Sequence, residues 1–236
     1  MTHASAAKFD NDRAEEYARQ SRIGLAGYDA CHELTACMLS AALGPGRNSR
    51  ILVVGAGGTG GEIIASARLE PGWSFVAVDP SAPMLELARV NMVDTQVADR
   101  VEIVLGAVAD LAPTPTFDAA IMIGVLHHLP GEVEKQAILA QIAQRVRPDA
   151  TLVVAGNYRH YAAEPLLMTA WSNRWRMSGA GPDECQSKMN KILKGAEPPA
   201  SEAAVIALLA GAGFEAPVRF FASLFWGAWL ARRSVG

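Results

Sequence analysis

Five glycines lie between positions 55 and 61, directly after a short aliphatic run, and Asp79 ends a second apolar run about 20 residues later. Glycine lets the chain turn sharply and lets a ligand approach the backbone, and a helix that follows such a turn directs free N–H groups at that ligand. A carboxylate at the end of the next strand can accept both hydroxyls of a ribose. A glycine-rich turn alone also occurs in plain tight turns, but the added aspartate favours nucleotide binding.

Two adjacent histidines, His127 and His128, follow another apolar run at residues 117–123. An imidazole titrates near neutral pH and can accept a proton from a hydroxyl or an amine. Both histidines are therefore candidate catalytic bases that face a substrate. The alternative is structural, because a histidine pair can equally cap the next helix or pack under a sheet.

Aromatic side chains are concentrated after the last predicted parallel strand. Tyr158, His160 and Tyr161 could line a substrate pocket with stacking surfaces and proton acceptors, or they could pack as an aromatic hinge. Trp171 and Trp175 are four residues apart and share one face of a helix. Such a pair is more often core than pocket, but we retain Trp171 as a candidate substrate contact.

The elements that must position these residues are predicted from apolar runs and helical periodicity. Five runs predict strands, at residues 51–54, 74–79, 101–105, 117–123 and 149–155. Helix-like segments separate them, as expected for right-handed crossovers in a doubly wound parallel sheet of the α/β class. Ligands of such sheets gather at the carboxyl ends of the strands, which is where the candidate residues lie.

Segments outside this core are predicted to enclose it. Residues 10–43 have apolar positions at helical spacing and predict two helices broken near Gly27. Tyr28 in this lid could cover a bound cofactor, or simply pack the lid. Residues 157–199 break the strand–helix rhythm and predict an inserted helical cap. Two β-like runs within residues 218–230, separated at positions 222 and 223, predict a closing hairpin.

We therefore divide the chain into four parts by residue number. They are an N-terminal helical lid (1–49), a Rossmann-like core (50–156), a helical cap (157–200), and a C-terminal helix with a closing hairpin (201–236). The first seven residues are small or polar, and we expect them to be mobile and to carry no chemistry.

Composition limits the classes of function. The chain has 236 residues, half of them hydrophobic, with a net charge of −3 and a pI near 6.0, so no long-range field favours nucleic acid or anionic lipid. The three cysteines lack metal-ligand spacing and predict reduced thiols, with no metal site. Without an apolar signal core or a spanning segment we expect a cytoplasmic protein.

The chain resembles class I S-adenosylmethionine-dependent methyltransferases over nearly its whole length. The resemblance rests on the glycine loop, Asp79, the loop at residues 106–111 and the strand with its histidines at residues 117–129, which occur in that family's order. It implies a mostly parallel seven-stranded sheet and the cofactor S-adenosyl-L-methionine. The implied cofactor contacts are Tyr28, Gly55, Ala56, Gly57, Asp79, Pro80, Met84, Ala107, Val108 and Ile123.

Within the superfamily, residues 27–28, 79–85 and 211–214 and the late phenylalanine-rich strands look most like the carboxy-S-adenosylmethionine synthase branch. Three positions depart from the family pattern. Val53 stands where an acidic residue usually contacts the methionine part of the cofactor, and Ala107 where an acid often binds the adenine amino group. Asn190 stands where the carboxy-transferring enzymes have an arginine.

These features predict an enzyme that transfers the cofactor methyl group to an oxygen or nitrogen of a small molecule, by in-line displacement inside a pocket covered by the lid and the cap. A nucleic acid partner is not expected, since no basic surface or appended domain is evident. A homodimer remains open. The alternatives are a carboxy-S-adenosylmethionine synthase-like enzyme that uses prephenate, and an inert module that binds S-adenosylhomocysteine.

Overall fold

A computed structural model describes residues 11–235, with side chains described from residue 16 onward. The predicted mobile segment, residues 1–7, lies outside the described residues. A seven-stranded sheet forms the centre of the molecule, with the strand order β3-β2-β1-β4-β5-β7-β6. The strands are β1 (Ser49–Val54), β2 (Trp73–Asp79), β3 (Val101–Leu105), β4 (Phe117–Ile123), β5 (Val146–Asn157), β6 (Val218–Ser223) and β7 (Trp226–Arg232).

The first five strands run parallel, and β7 pairs antiparallel with both β5 and β6. This confirms the predicted doubly wound α/β fold and its closing hairpin. The strand order reverses between β1 and β4, so the loops after these two strands diverge and leave a crevice at their carboxyl ends. The glycine loop follows β1, and the histidine pair follows β4.

Helices cover both faces of the sheet. Their bounds are α1 (Asn11–Gly24), α2 (Tyr28–Leu43), α3 (Gly61–Leu69), α4 (Ala82–Asp94), α5 (Gly131–Ala143), α6 (Pro165–Met177), α7 (Pro182–Gly195) and α8 (Glu202–Gly211). Successive residues of β1 point to opposite faces. Leu52 and Val54 pack with α5 and α8, whereas Ile51 and Val53 pack with α2, α3 and α4. Burial on both faces explains why this strand has no polar alternation.

Two of the differences from the predicted boundaries affect the site. Strand β5 extends to Asn157, two residues beyond its predicted end, because it pairs with β7 along its whole second half. The hairpin turns at Leu224 and Phe225 instead of at positions 222 and 223. Leu224 adopts a φ of 51°, and Phe225 is fully buried in the cap, so tertiary packing moved the turn.

The lid and the cap meet above the sheet. Helix α1 ends at Gly24, and its last carbonyl groups accept hydrogen bonds from side chains of α6. Trp171 Nε1 donates to Gly24 O at 2.5 Å, and Arg174 donates to the carbonyls of Ile23 and Arg22 at 3.3 and 3.0 Å. Helix α6 therefore caps the C-terminus of α1, where orphan carbonyls need partners.

Candidate active site

The glycine loop is shaped by close neighbours. The Gly55 N–H donates to Val78 O at 2.9 Å, and a Cβ on Gly55 would lie 2.2 Å from Val125 Cγ2. A Cβ on Gly57 would lie 2.5 Å from Met84 Cβ and 2.9 Å from Asp79 Oδ2. Only glycine fits either position, and the result is a bare backbone cradle at the end of β1.

Asp79, which is predicted to accept the hydroxyls of a ribose, lies beside this cradle. Its Oδ2 accepts the Gly57 N–H at 3.1 Å, and its Oδ1 accepts the Ser81 N–H at 2.8 Å. Burial raises the pKa of the carboxyl, while these two N–H groups lower it. Each oxygen keeps a further lone pair, so the carboxylate is oriented and can still accept two hydroxyls.

Two small clefts extend from Asp79 along the strand ends. One cleft of about 30 Å³ lies beside Asp79. Its lining includes Gly57, Asp79, Pro80, Met84, Ile123 and His128. The second, narrower cleft is lined by Val54, Gly55, Val78, Pro80, Gly106, Ala107, Val108 and Ile138. The predicted adenine contacts thus share one edge of the sheet with the ribose candidate. The Ala107 N–H donates to Asp110 Oδ2 at 2.8 Å, which fixes this loop.

Tyrosines of the lid close the glycine loop from above. The Tyr28 hydroxyl and Thr59 Oγ1 are 2.5 Å apart, and burial raises the pKa of the Tyr28 phenol. The Tyr17 ring lies so close to Gly58 that a Cβ there would be 2.4 Å from Tyr17 Cε1. Tyr28 therefore packs the lid and also faces the site, so its two predicted roles are compatible.

A central cavity of about 370 Å³ opens beside the cradle. The lid, the strand ends and the cap all contribute to its wall. Its predicted lining residues are Tyr28, Gly55, Gly57, Ile123, His127, His128, Tyr161 and Trp171, and further members include Tyr17, His32, Glu62, Asn157, Trp175, Lys191 and Trp226. Most of the lining is apolar or aromatic, with a few polar groups, which is typical of small-molecule sites.

The two histidines have different surroundings. Nδ1 of His127 accepts the Asn157 backbone N–H at 3.3 Å, so a neutral His127 ring carries its proton on Nε2 and acts as a donor there. Its ring also packs edge-on against Trp226, with centroids 5.3 Å apart. His128 lines both the cavity and the sugar-side cleft. His128 is therefore the better placed of the two as a proton acceptor.

Asn157 and Tyr161 form a polar pair in the cavity wall. Asn157 Nδ2 donates to the Tyr161 hydroxyl at 2.7 Å, and no donor among residues 11–235 reaches the buried Asn157 Oδ1. Burial raises the pKa of the Tyr161 phenol, so this residue stays protonated and serves as a hydrogen-bonding group. An N–H or O–H of a ligand could satisfy Asn157 Oδ1.

The placement of Tyr158 and His160 corrects the sequence prediction, because neither lines the central cavity. Tyr158 is buried on the other face of the sheet, where its ring meets Trp229 edge-on at 5.0 Å. His160 is exposed. The cause is the extra length of β5, because side chains alternate between faces along a strand, so Asn157 faces the cavity and Tyr158 faces away.

Trp171 and Trp175 combine the two roles considered for them. Both are buried in a small cluster with Tyr161 and Phe225, with ring centroids of Trp171 and Phe225 5.2 Å apart. Both also line the central cavity. The core of the cap is therefore also the wall of the site.

Several lining residues were not identified from sequence as site residues. Tyr17 lies within the predicted lid, residues 10–43, and Asn157 is the first residue of the predicted cap. Glu62 lies in the glycine-rich segment itself, and a carboxylate in the first turn of a helix after such a loop was the available signal. His32 and Trp226 carried no local signal, because packing between α2, α3 and the hairpin brings them to the cavity.

Other features of the described residues are less suited to the chemistry. A larger open groove of about 810 Å³ runs between α1, α2, α3 and α4 and reaches His32, Thr59 and Gly61, but no strand residue lines it. Among the side chains that the structure describes, residues 16–235, there is no group of three or more His, Cys, Asp or Glu that could hold a metal ion. In the same range no helix has the length and apolarity needed to cross a membrane.

Comparison with known families agrees with this geometry. Residues 52–152, from β1 to the middle of β5, match the family model described as a methyltransferase domain. The match covers 101 of the 236 residues and includes the glycine loop, Asp79 and the histidine pair. No curated protein sequence matches the chain.

Solved structures share the fold of this chain. A candidate sarcosine dimethylglycine methyltransferase from Galdieria sulphuraria has 13% identity and a TM-score of 0.68, over 96% of this chain and 99% of that one. A candidate O-methyltransferase from Nostoc punctiforme has 16% identity and a TM-score of 0.65, over 87% and 56%. Human N-acetylserotonin methyltransferase in complex with S-adenosylmethionine has 16% identity and a TM-score of 0.60, over 99% and 63%.

At these identities the structural similarity establishes the fold. The chain spans little more than half of the Nostoc protein and under two thirds of the human one. The human complex contains the cofactor that the sequence predicts for this fold, S-adenosylmethionine. The proposed assignment to the carboxy-S-adenosylmethionine synthase branch finds no support among these similarities.

Proposed function

We propose that this protein is an S-adenosylmethionine-dependent methyltransferase that methylates an oxygen or nitrogen of a small molecule. The observation that carries the proposal is the central cavity, which joins the glycine cradle of β1 to an aromatic, histidine-containing wall under the lid and the cap. Its volume of about 370 Å³ falls in the range of small-molecule pockets.

The residues present fit the cofactor. Gly57 leaves a cradle that a Cβ would fill, Asp79 has lone pairs for the ribose hydroxyls, and Ala107 and Val108 line the cleft expected for adenine. Tyr28 and Glu62 lie at the side of the cavity where the methionine part would extend. The chemistry supplied by bound S-adenosylmethionine is a methyl group on a positively charged sulfur, which leaves as a neutral thioether.

The chain's own residues then have three tasks. The Trp171–Gly24 hydrogen bond and the aromatic cap keep water out of the cavity. Asn157 Oδ1 and the His127 ring orient the acceptor by hydrogen bonds. His128 receives the proton from the hydroxyl or amine when its oxygen or nitrogen is methylated. Alignment of the acceptor contributes the larger part of the rate, since methyl transfer is an in-line displacement.

The names of the similar proteins support a small acceptor. The Nostoc protein is described as an O-methyltransferase, and the human enzyme is named for N-acetylserotonin. Ordinary methyl transfer is preferred to carboxyl transfer, because Asn190 replaces the expected arginine and is exposed on α7, outside the residues that line the central cavity. Finding a carboxylated cofactor by mass spectrometry after incubation with prephenate would reverse this preference.

Calorimetry with S-adenosylhomocysteine and with S-adenosylmethionine tests the cofactor assignment. We expect both to bind the wild-type protein and expect Asp79→Ala to weaken binding of both at least about tenfold, because a charged hydrogen-bonding partner is lost. Glu86→Ala is the control, since Glu86 is exposed on α4 and its one ion-pair partner among the described residues is Arg89. No binding to the wild type at millimolar concentration would exclude the proposed function.

A second experiment separates an enzyme from an inert binding module. Purified protein is incubated with methyl-labelled S-adenosylmethionine and a panel of small phenols, alcohols and amines, and labelled products are counted. We expect transfer to at least one compound class, and we expect His128→Ala to reduce it while S-adenosylhomocysteine binding is unchanged. Binding of the cofactor without transfer to any panel member would favour the inert module.

A further inference from the structure

The glycine loop of this chain lacks the carboxylate expected at position 53. Val53 is fully buried and packs with the helices on one face of the sheet, and its aliphatic side chain offers a ligand no charge. A positively charged α-amino group of a bound amino acid nevertheless needs an acceptor in a partly dry site. The question is which other residue supplies it.

Glu62 lies at the right place for this role. It is in the first turn of α3, immediately after the glycine loop, and its side chain is 8% exposed. It lines the central cavity together with Gly55, Gly57 and Tyr28. Burying a carboxylate is costly unless a partner compensates the charge, so the partners of Glu62 decide its role.

The protein itself compensates this charge poorly. Among the described residues the one ion-pair contact of Glu62 is with His32, whose Nε2 lies 3.4 Å from Glu62 Oε2. His32 Nδ1 is 2.9 Å from the Tyr28 carbonyl oxygen, which can only accept a hydrogen bond. Nδ1 is therefore the donor of this bond, and the contact of His32 with Glu62 is limited to the single 3.4 Å distance at Nε2.

The charge of Glu62 also acts on the rest of the site. It contributes, after burial, to the raised pKa values of Asp79 and Tyr28. Two carboxylates, those of Glu62 and Asp79, thus border one site, and the lysine that lines the cavity, Lys191, is exposed on α7. A ligand with positive charge at the Glu62 side would relieve this excess of negative charge.

We propose that Glu62 binds the α-amino group of the cofactor, in place of the acidic residue that is missing at position 53. The proposal rests on the proposed methyltransferase function. The interaction is a charge-assisted hydrogen bond between an ammonium and a carboxylate, which is stronger than a neutral one. Glu62 is a binding residue in this scheme and takes no part in proton transfer.

The test compares two ligands that differ only in the amino group. Calorimetry measures binding of S-adenosylhomocysteine and of its analogue without the α-amino group to the wild type and to Glu62→Gln. We expect the wild type to prefer S-adenosylhomocysteine at least about tenfold, because a hydrogen bond to a charged group is lost with the analogue. In Glu62→Gln this preference should fall to about twofold or less, with the affinity for the analogue nearly unchanged.

Glu70→Gln is the matched control. Glu70 is also a buried carboxylate and follows the last turn of α3, but it bonds to Ser40 and to the Gly46 N–H, away from the cavity. We expect this variant to keep the wild-type preference even if its stability falls. Thermal unfolding followed by circular dichroism establishes that both variants are folded at the temperature of the titrations.

The outcomes separate the inference from the function on which it rests. If wild type and Glu62→Gln show the same preference between the two ligands, Glu62 does not bind the amino group and the inference is wrong, although the protein binds the cofactor. If the wild type binds neither ligand, the proposed function fails with it. Should Glu62→Gln not fold, equal binding of the two ligands by the wild type alone would overturn the inference.

Discussion

Among single residues, several glycines of the loop after β1 have neighbours so close that they leave no space for a side chain. A methyl group on Gly57 would overlap Met84 Cβ at 2.5 Å and approach Asp79 Oδ2 at 2.9 Å. Neither neighbour can withdraw easily, because Asp79 is held by two backbone N–H groups and Met84 is buried. The sequence alone indicates a tight turn at this glycine, and the contacts explain why no other residue fits.

We predict that Gly57→Ala weakens binding of S-adenosylhomocysteine at least about tenfold. The reason is that the added methyl group displaces the carboxylate of Asp79, the proposed ribose acceptor, by a few tenths of an ångström or more. Gly181→Ala serves as the control, since a Cβ at Gly181 meets no atom within 4 Å. Titration calorimetry gives both affinities. Unchanged binding by Gly57→Ala would mean that the cradle is not used by the ligand.

His127 has a structural task as well as a place in the cavity wall. Its Nδ1 accepts the buried backbone N–H of Asn157, and leaving a buried donor unpaired costs about 1–3 kcal/mol. We predict that His127→Ala is less stable than His127→Asn by an amount in this range, because asparagine can place its amide oxygen where Nδ1 was. Urea denaturation of the two variants measures the difference, and equal stabilities would contradict the assigned hydrogen bond.

At the scale of elements, the lid and the cap work as one unit. The end of α1 receives three hydrogen bonds from α6, one from Trp171 and two from Arg174. The same two helices contribute Tyr17 and Trp171 to the wall of the central cavity. Separating α1 from α6 therefore requires that these bonds break.

We predict that Arg174→Ala speeds amide hydrogen exchange in α1 over residues 16–24 and shortens the residence time of bound S-adenosylhomocysteine. The reason is that two carbonyl groups at the end of α1 lose their donor. Arg176→Ala is the control on the same helix, because Arg176 is exposed and bonds to the Asn173 side chain. Identical exchange in the two variants would show that Arg174 does not hold the lid.

At the scale of the whole molecule, buried protonated groups set the response to alkaline pH. Burial raises the pKa of the Cys31 thiol to about 12, and it also raises the pKa values of Tyr28 and Tyr161. In the unfolded chain these groups ionise near their ordinary pKa values of about 8.5 for cysteine and about 10 for tyrosine. The folded chain therefore holds more protons than the unfolded chain in this range.

We predict that the free energy of unfolding falls as pH rises above about 8.5, because unfolding then releases protons. The contribution of Cys31 is complete below that pH and is lost progressively up to about pH 12. Urea denaturation between pH 8 and pH 10.5 should show a shallower decline for Cys31→Ala than for the wild type. Cys37→Ala, an exposed cysteine on the same helix, should follow the wild type, and equal slopes for all three proteins would contradict the prediction.

The amino-acid sequence is enough to predict the strands, the helices and the region in which the cofactor is expected. Local signals are sufficient there, because apolar runs indicate buried strands and clusters of glycines indicate turns. The parallel sheet, the glycine loop after β1, Asp79 at the end of β2 and the closing hairpin were all predicted from such signals, and the fold agrees with them.

The tertiary structure alone decided which side chains meet in the cavity. Tyr158 and Asn157 are neighbours in sequence, yet the length of β5 directs one away from the cavity and the other into it. Tyr17 reaches the glycine loop, and Glu62 lies beside His32, through helix packing over long sequence separations. Contacts of this kind depend on how whole elements pack, which local periodicity does not encode.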